Sequence, residues 1–89
     1  MRFKDQDIER FWIDPVAFPP KRVPPNLRKV LYRKLQLLDA ANALVDLRVP
    51  PGNRLEALRG SRAGQYSIRV NEQWRLCFTW TERGAEGVE

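Results

Sequence analysis

The sequence predicts an α+β fold in which two or three helices cover one face of a small antiparallel sheet, after a short N-terminal strand. Three observations carry this reading. Apolar residues recur at the helical period through residues 27–41, they alternate at period two through residues 66–70 and 74–80, and the strands follow one another with short turn signals between them. An 89-residue chain makes one domain over residues 1–89, near the size at which a single core leaves little stability to spare.

The elements follow in order. After an apolar start at Met1 and Phe3, Asp5 is placed to cap a first helix with Ile8, Phe11 and Trp12 on one face; Asp7 and Glu9 suit the positive end of its dipole. Asp14-Pro15 ends that helix. The stretch IDPVAFPPKRVPP holds five of the seven prolines and cannot be a helix interior, so it reads as a semi-rigid connection that carries Phe18 and Val23 against the fold. Asn26 is the expected N-cap of the main helix, whose stripe comprises Leu27, Val30, Leu31, Leu35, Leu38 and Val45, widened by Leu37, Ala41 and Leu44. Asp39 is placed to cap a short second segment, and Pro50-Pro51-Gly52 forbids continuation. Residues 54–58 read as a short strand, and GSRAG at residues 60–64 supplies a turn. Tyr66, Ile68 and Val70 form the next strand, with a bulge at its start left open by the preceding glycine turn. Residues 70–73 reverse the chain into the Trp74 strand, residues 83–87 read as a third turn, and Val88-Glu89 begins a further strand.

Charge is concentrated where the strands are. The block PPGNRLEALRGSRAGQYSIRVNEQWRLCFTW holds five of the twelve arginines, and Arg69 and Arg75 alternate with the apolar positions, so one sheet face is core and the other carries guanidinium. The chain has a formal net charge of +5 and a pI near 10.0, with twelve arginines against four lysines. Because arginine's planar fork binds phosphate oxygens in pairs and stays charged near neutrality, polyanions such as RNA or DNA are the expected partners; the plainer alternative is a solvated basic surface. Trp74, Phe78 and Trp80 are aromatic enough to stack bases, but their period-two spacing with Leu76 fits a core better.

Composition also narrows the chemistry. With no histidine, Cys-His and Ser-His-Asp nucleophilic arrangements and a zinc site of ordinary ligand type are excluded, and no metal or other cofactor is expected. The single cysteine, Cys77, reads as a packing residue. No apolar run approaches the ~20 residues of a membrane span, and the N-terminus lacks the apolar core of a signal peptide, so a cytoplasmic location without membrane contact is the expectation.

The run LDAANALVDLRVPPGNRLEALRGSRAGQYSIRVNEQWRLCFTW, residues 38–80, resembles the HigB-type host-inhibition toxins of type II toxin-antitoxin modules, in the RelE/ParE superfamily. The PPGNRLE segment, the G-x-R-x-G-x-x-S-I-R-V hairpin and the N-x-Q-W-R-x-x-F strand carry the resemblance in order and spacing; the first third of the chain carries it loosely. The resemblance implies a RelE/ParE-like fold and a ribosome-dependent, metal-independent endoribonuclease that cuts mRNA and inhibits translation. In that chemistry the RNA's 2′-hydroxyl attacks the adjacent phosphate, so a proton acceptor, a proton donor and cations around the phosphorane are needed. By the same resemblance Arg75 contacts the scissile phosphate. Arg59, where other members place a lysine, acts electrostatically, and Glu56, where one branch has histidine, is a candidate base with an inter-strand ion pair as the plainer reading. Arg54, Arg62 and Arg69 are expected to bind RNA, Arg62 and Arg69 by holding the RNA backbone or the ribosomal RNA rather than performing chemistry. The implied partners are the ribosome and mRNA, and a HigA-type helix-turn-helix antitoxin through which operator DNA is reached. Family members run on past the equivalent of Val88-Glu89 into a strand that closes with Asp-Tyr-His, so the expectation is a domain lacking that strand end. A non-catalytic ParE-like toxin acting on DNA gyrase and a plain RNA-binding module are the alternatives.

Overall fold

A computed structural model describes residues Met1–Glu89. Two α-helices, α1 (Gln6–Ile13) and α2 (Arg28–Ala40), pack on a sheet of four antiparallel strands, β1 (Glu56–Ala57), β2 (Gln65–Arg69), β3 (Arg75–Thr81) and β4 (Gly84–Glu86), in the spatial order β1-β2-β3-β4. The Asp5 carboxylate accepts the N–H groups of Asp7 and Ile8 at 2.8 and 3.3 Å, satisfying two donors that an open first turn leaves without partners. The helix stops at Asp14, ahead of Pro15.

The main helix starts differently from the expectation. Pro24-Pro25 leads into a 3-10 turn over Pro25–Leu27, and α2 begins at Arg28 with Leu27 as its cap; Asn26 makes no capping bond. Its buried face is Leu31, Leu35 and Leu38. Val45, expected on the same stripe, is 59% exposed. The chain there is a second 3-10 turn, Leu44–Arg48, whose three-residue period aligns Leu47 with Leu44 and buries Leu47 instead. Asp46, rather than Asp39, caps it by accepting the N–H groups of Asn42 and Ala43 at 3.0 and 3.1 Å.

In the sheet, Tyr66 faces Phe78, Ile68 faces Leu76 and Trp80 faces Ala85 on the core side. The strand at Tyr66 is unbulged, and the residues 70–73 reversal is closed by Asn71, whose Oδ1 accepts the N–H groups of Gln73 and Trp74. Phe78, 1% exposed, packs edge-on to Trp80 and stacks with Tyr66, so it belongs to the core and presents no surface to a base; Trp74 and Trp80 are half-buried against the same core. Phe11 and Trp12 of α1 meet Tyr32 of α2 with ring centroids 5.5 and 5.2 Å apart, which joins the helices to each other.

The expected N-terminal strand is a single parallel bridge, Phe3 to Val88, because Asp5 turns the chain into α1 two residues later. The expected turn over residues 83–87 is narrower: residues 82–83 reverse the chain, and Gly84–Glu86 form β4 with Ala85 buried. Gly87, at φ +60°, then adds one residue to the pairing with β3. Thr79 pairs with Glu86, yet Cys77 exchanges both backbone bonds with Glu89 at 2.9 Å, so Gly87 and Val88 on one side oppose Phe78 alone on the other.

Candidate nucleic-acid interface

The polar face of the sheet follows from register. Glu56, Ser67, Cys77 and Glu89 form one cross-strand row, Arg69 and Arg75 the next, and Gln65, Thr79 and Glu86 a third. Two arginines directly opposite each other repel unless each finds other partners. Arg69 leans to Glu72, 3.9 Å away. Arg75 turns across β2: its Nε donates to Ser67 Oγ at 2.8 Å, its Nη2 donates to the Arg54 carbonyl, and the same nitrogen lies 3.9 Å from Glu56 Oε2. The guanidinium is thereby fixed while 29% of the side chain stays open to solvent.

The loop that receives Arg75 is itself built on a buried amide. Asn53 is fully buried; its Nδ2 donates to the carbonyls of Leu47 and Val49 at 3.1 and 3.3 Å, and its Oδ1 accepts from Lys34 Nζ on α2. This anchor lets Arg54 hold a left-handed conformation, φ +45°, in which its carbonyl meets Arg75. Burial, and after it the neighbouring Arg33 guanidinium, holds the Lys34 ammonium below the ordinary lysine range. The folded chain therefore releases this proton at a lower pH than the unfolded chain, and the contribution of this group to stability rises with pH across the interval between the two. Asn53 was invisible as a site residue in the sequence, where an asparagine after Pro-Pro-Gly reads as a turn former; the signal that exists is the PPGN spacing itself. Replacing it with alanine strands two carbonyls and a partly buried ammonium. Asn53→Ala is expected to lose about 2–4 kcal/mol in urea unfolding.

Of the sequence-derived candidates, the fold gathers Arg75, Glu56 and the backbone of Arg54. Arg62 lies at the far end of the polar rows, where it donates to Gln65 Oε1 at 3.0 Å and pairs with the Glu89 carboxylate, which Lys4 also approaches at 3.6 Å. Arg59 sits outside the strands, in the exposed loop that opens the 3-10 turn Gly60–Arg62, and its side chain makes no hydrogen bond or ion pair. Cys77, expected as a packing residue, is half-buried in its row on the polar face and is not part of the core. No helix is long and apolar enough to cross a membrane.

Two helices over a short antiparallel sheet, with the far face carrying arginines in register, are consistent with a RelE-like fold. The model of the HigB-like toxin family, described as the RelE-like toxin of type II toxin-antitoxin system HigB, matches residues 1–88. Toxin HigB-1 of Vibrio cholerae serotype O1 is 46% identical over 82 residues, spanning 92% of this chain and 84% of that protein. An uncharacterized protein of Haemophilus influenzae is 41% identical over 78 residues, 88% of this chain and 75% of its own. The chain belongs to the HigB-like toxin family of type II toxin-antitoxin systems, and such a toxin has an antitoxin partner.

Proposed function

We propose that this toxin is a ribosome-dependent, metal-independent endoribonuclease of the cytoplasm that cleaves mRNA and so inhibits translation. The observation that carries the reading is Arg75: a guanidinium fixed by Ser67 and the Arg54 carbonyl, yet still open on a sheet face with further arginines around it. A cation held in place before the reaction costs no reorganisation when charge develops on the phosphorane, which is the condition under which electrostatic stabilisation is largest. Arg54, Arg62 and Arg69 serve the RNA backbone in this reading, and Arg59, free of protein partners, reaches a phosphate as a permanent charge. The antitoxin is of the HigA helix-turn-helix type, and operator DNA is reached through it. Residues 1–89 act as one RelE-like toxin domain.

Glu56 acts here as the counter-charge of Arg75 rather than as the base. Its side chain is 61% exposed and 3.9 Å from the guanidinium, the geometry of a surface ion pair worth at most ~1 kcal/mol. Glu56→Gln is accordingly expected to leave single-turnover cleavage on programmed ribosomes within a few-fold of wild type; a hundredfold loss with ribosome binding intact would make Glu56 the proton acceptor. The function itself is tested by inducing the toxin and mapping mRNA ends. Cuts inside translated frames, bearing cyclic phosphate and 5′-hydroxyl ends, are expected, whereas arrested DNA supercoiling with intact mRNA would replace the reading with a gyrase-directed one.

A further inference from the structure

The helix layer carries a second cationic surface, on the side of the molecule opposite the arginine-bearing sheet face. Leu31, Leu35 and Leu38 turn α2 inward, which leaves Arg28, Lys29 and Arg33 beside a groove lined by Phe11 and Tyr32, with Val16 standing out at its rim. No carboxylate lines this groove. Val16 is 91% exposed. Its side chain is held outward by structure: Asp14 accepts the Ala17 N–H on its carboxylate at 3.1 Å and the Phe18 N–H on its carbonyl at 3.0 Å, which fixes the turn that presents Val16. An apolar groove beside three cations that make no ion pair within the fold is a surface suited to a partner carrying both apolar and acidic groups.

We propose that this groove is the docking site of the antitoxin, taken by an acidic amphipathic helical segment whose apolar side covers Val16 and Tyr32 while its carboxylates meet Arg28, Lys29 and Arg33. The charge pattern alone would also admit RNA, but a phosphate backbone gains nothing from an outward valine, whereas an amphipathic helix laid in a groove uses both features. The inference rests on membership of a toxin-antitoxin family and is independent of the nuclease reading.

The test uses the purified full-length toxin and the antitoxin encoded with it. Val16→Glu and the double variant Lys29→Glu/Arg33→Glu change exposed side chains only, and unchanged melting temperatures verify that they fold. Each is expected to weaken antitoxin binding at least about 30-fold, and the salt dependence of binding should flatten in the double variant. Arg83→Glu, an exposed charge reversal in the β3–β4 turn that takes no part in lining this groove, should bind the antitoxin like wild type. Wild-type antitoxin affinity in both groove variants would overturn the proposal, as would a groove variant that keeps the antitoxin and loses programmed ribosomes instead, since the groove would then be an RNA surface.

Discussion

Arg75→Ala should abolish toxicity: cells inducing it grow like uninduced cells, and single-turnover cleavage on programmed ribosomes falls about 10²–10³-fold, the 2.7–4 kcal/mol typical of one lost donor to a developing oxyanion. The size of the effect follows from how the guanidinium is held. Ser67 Oγ, the Ser67 carbonyl at 3.4 Å and the Arg54 carbonyl take up Nε and Nη2 from within the fold, leaving Nη1 for a phosphate on a guanidinium that is already ordered. Arg75→Lys should recover little, because a single ammonium cannot bond to Ser67, to Arg54 and to a phosphate together. The same substitutions also break structural bonds, so thermal melts of both variants belong beside the kinetics. An Arg75→Ala toxin that folds, reaches the same cellular level and still stops growth would remove the arginine from the mechanism.

Phe78→Ala is the largest expected stability loss. The ring is 1% exposed and packs between Tyr66 and Trp80 at the centre of the β2–β3 pairing. Phenylalanine-to-alanine changes of this kind cost about 3–5 kcal/mol. A domain of this length holds only about 4–13 kcal/mol, at roughly 0.05–0.15 kcal/mol per residue, so Tm should fall by about 15 °C or more. A variant that melts like wild type but loses RNA affinity would instead identify Phe78 as a base-stacking residue and contradict the burial.

The β3 strand was legible because its period is short and its two classes of side chain differ sharply: Leu76 and Phe78 went inside, Arg75 and Thr79 outside, as alternation requires. The first helix was legible because Asp5 both starts it and bonds to it. The strand at Gly84–Glu86 was hidden, since glycine, alanine and glutamate have little strand preference and only the neighbouring β3 imposes the conformation. Val45 misled because it continues an α-helical stripe on paper, while the chain had tightened to three residues per turn. At the site, Arg75 could be read from its place on the polar side of a strand. Asn53 could not, because its partners lie on α2 and in the preceding 3-10 turn, and no local pattern announces contacts across such separations.

The extra residue at Gly87 behaves as a phase shifter. With unbroken pairing, the 79–86 register would set Val88 opposite Cys77, its methyl groups among the arginines, and would drive the Glu89 carboxylate into the hydrocarbon between sheet and helices. One glycine in a left-handed conformation exchanges these fates: Val88 is fully buried, and Glu89 reaches Arg62 and Lys4. Excising Gly87 would therefore invert this edge of the protein rather than shorten it, and a length change of a single residue here would act on the fold as a double substitution of opposite polarity.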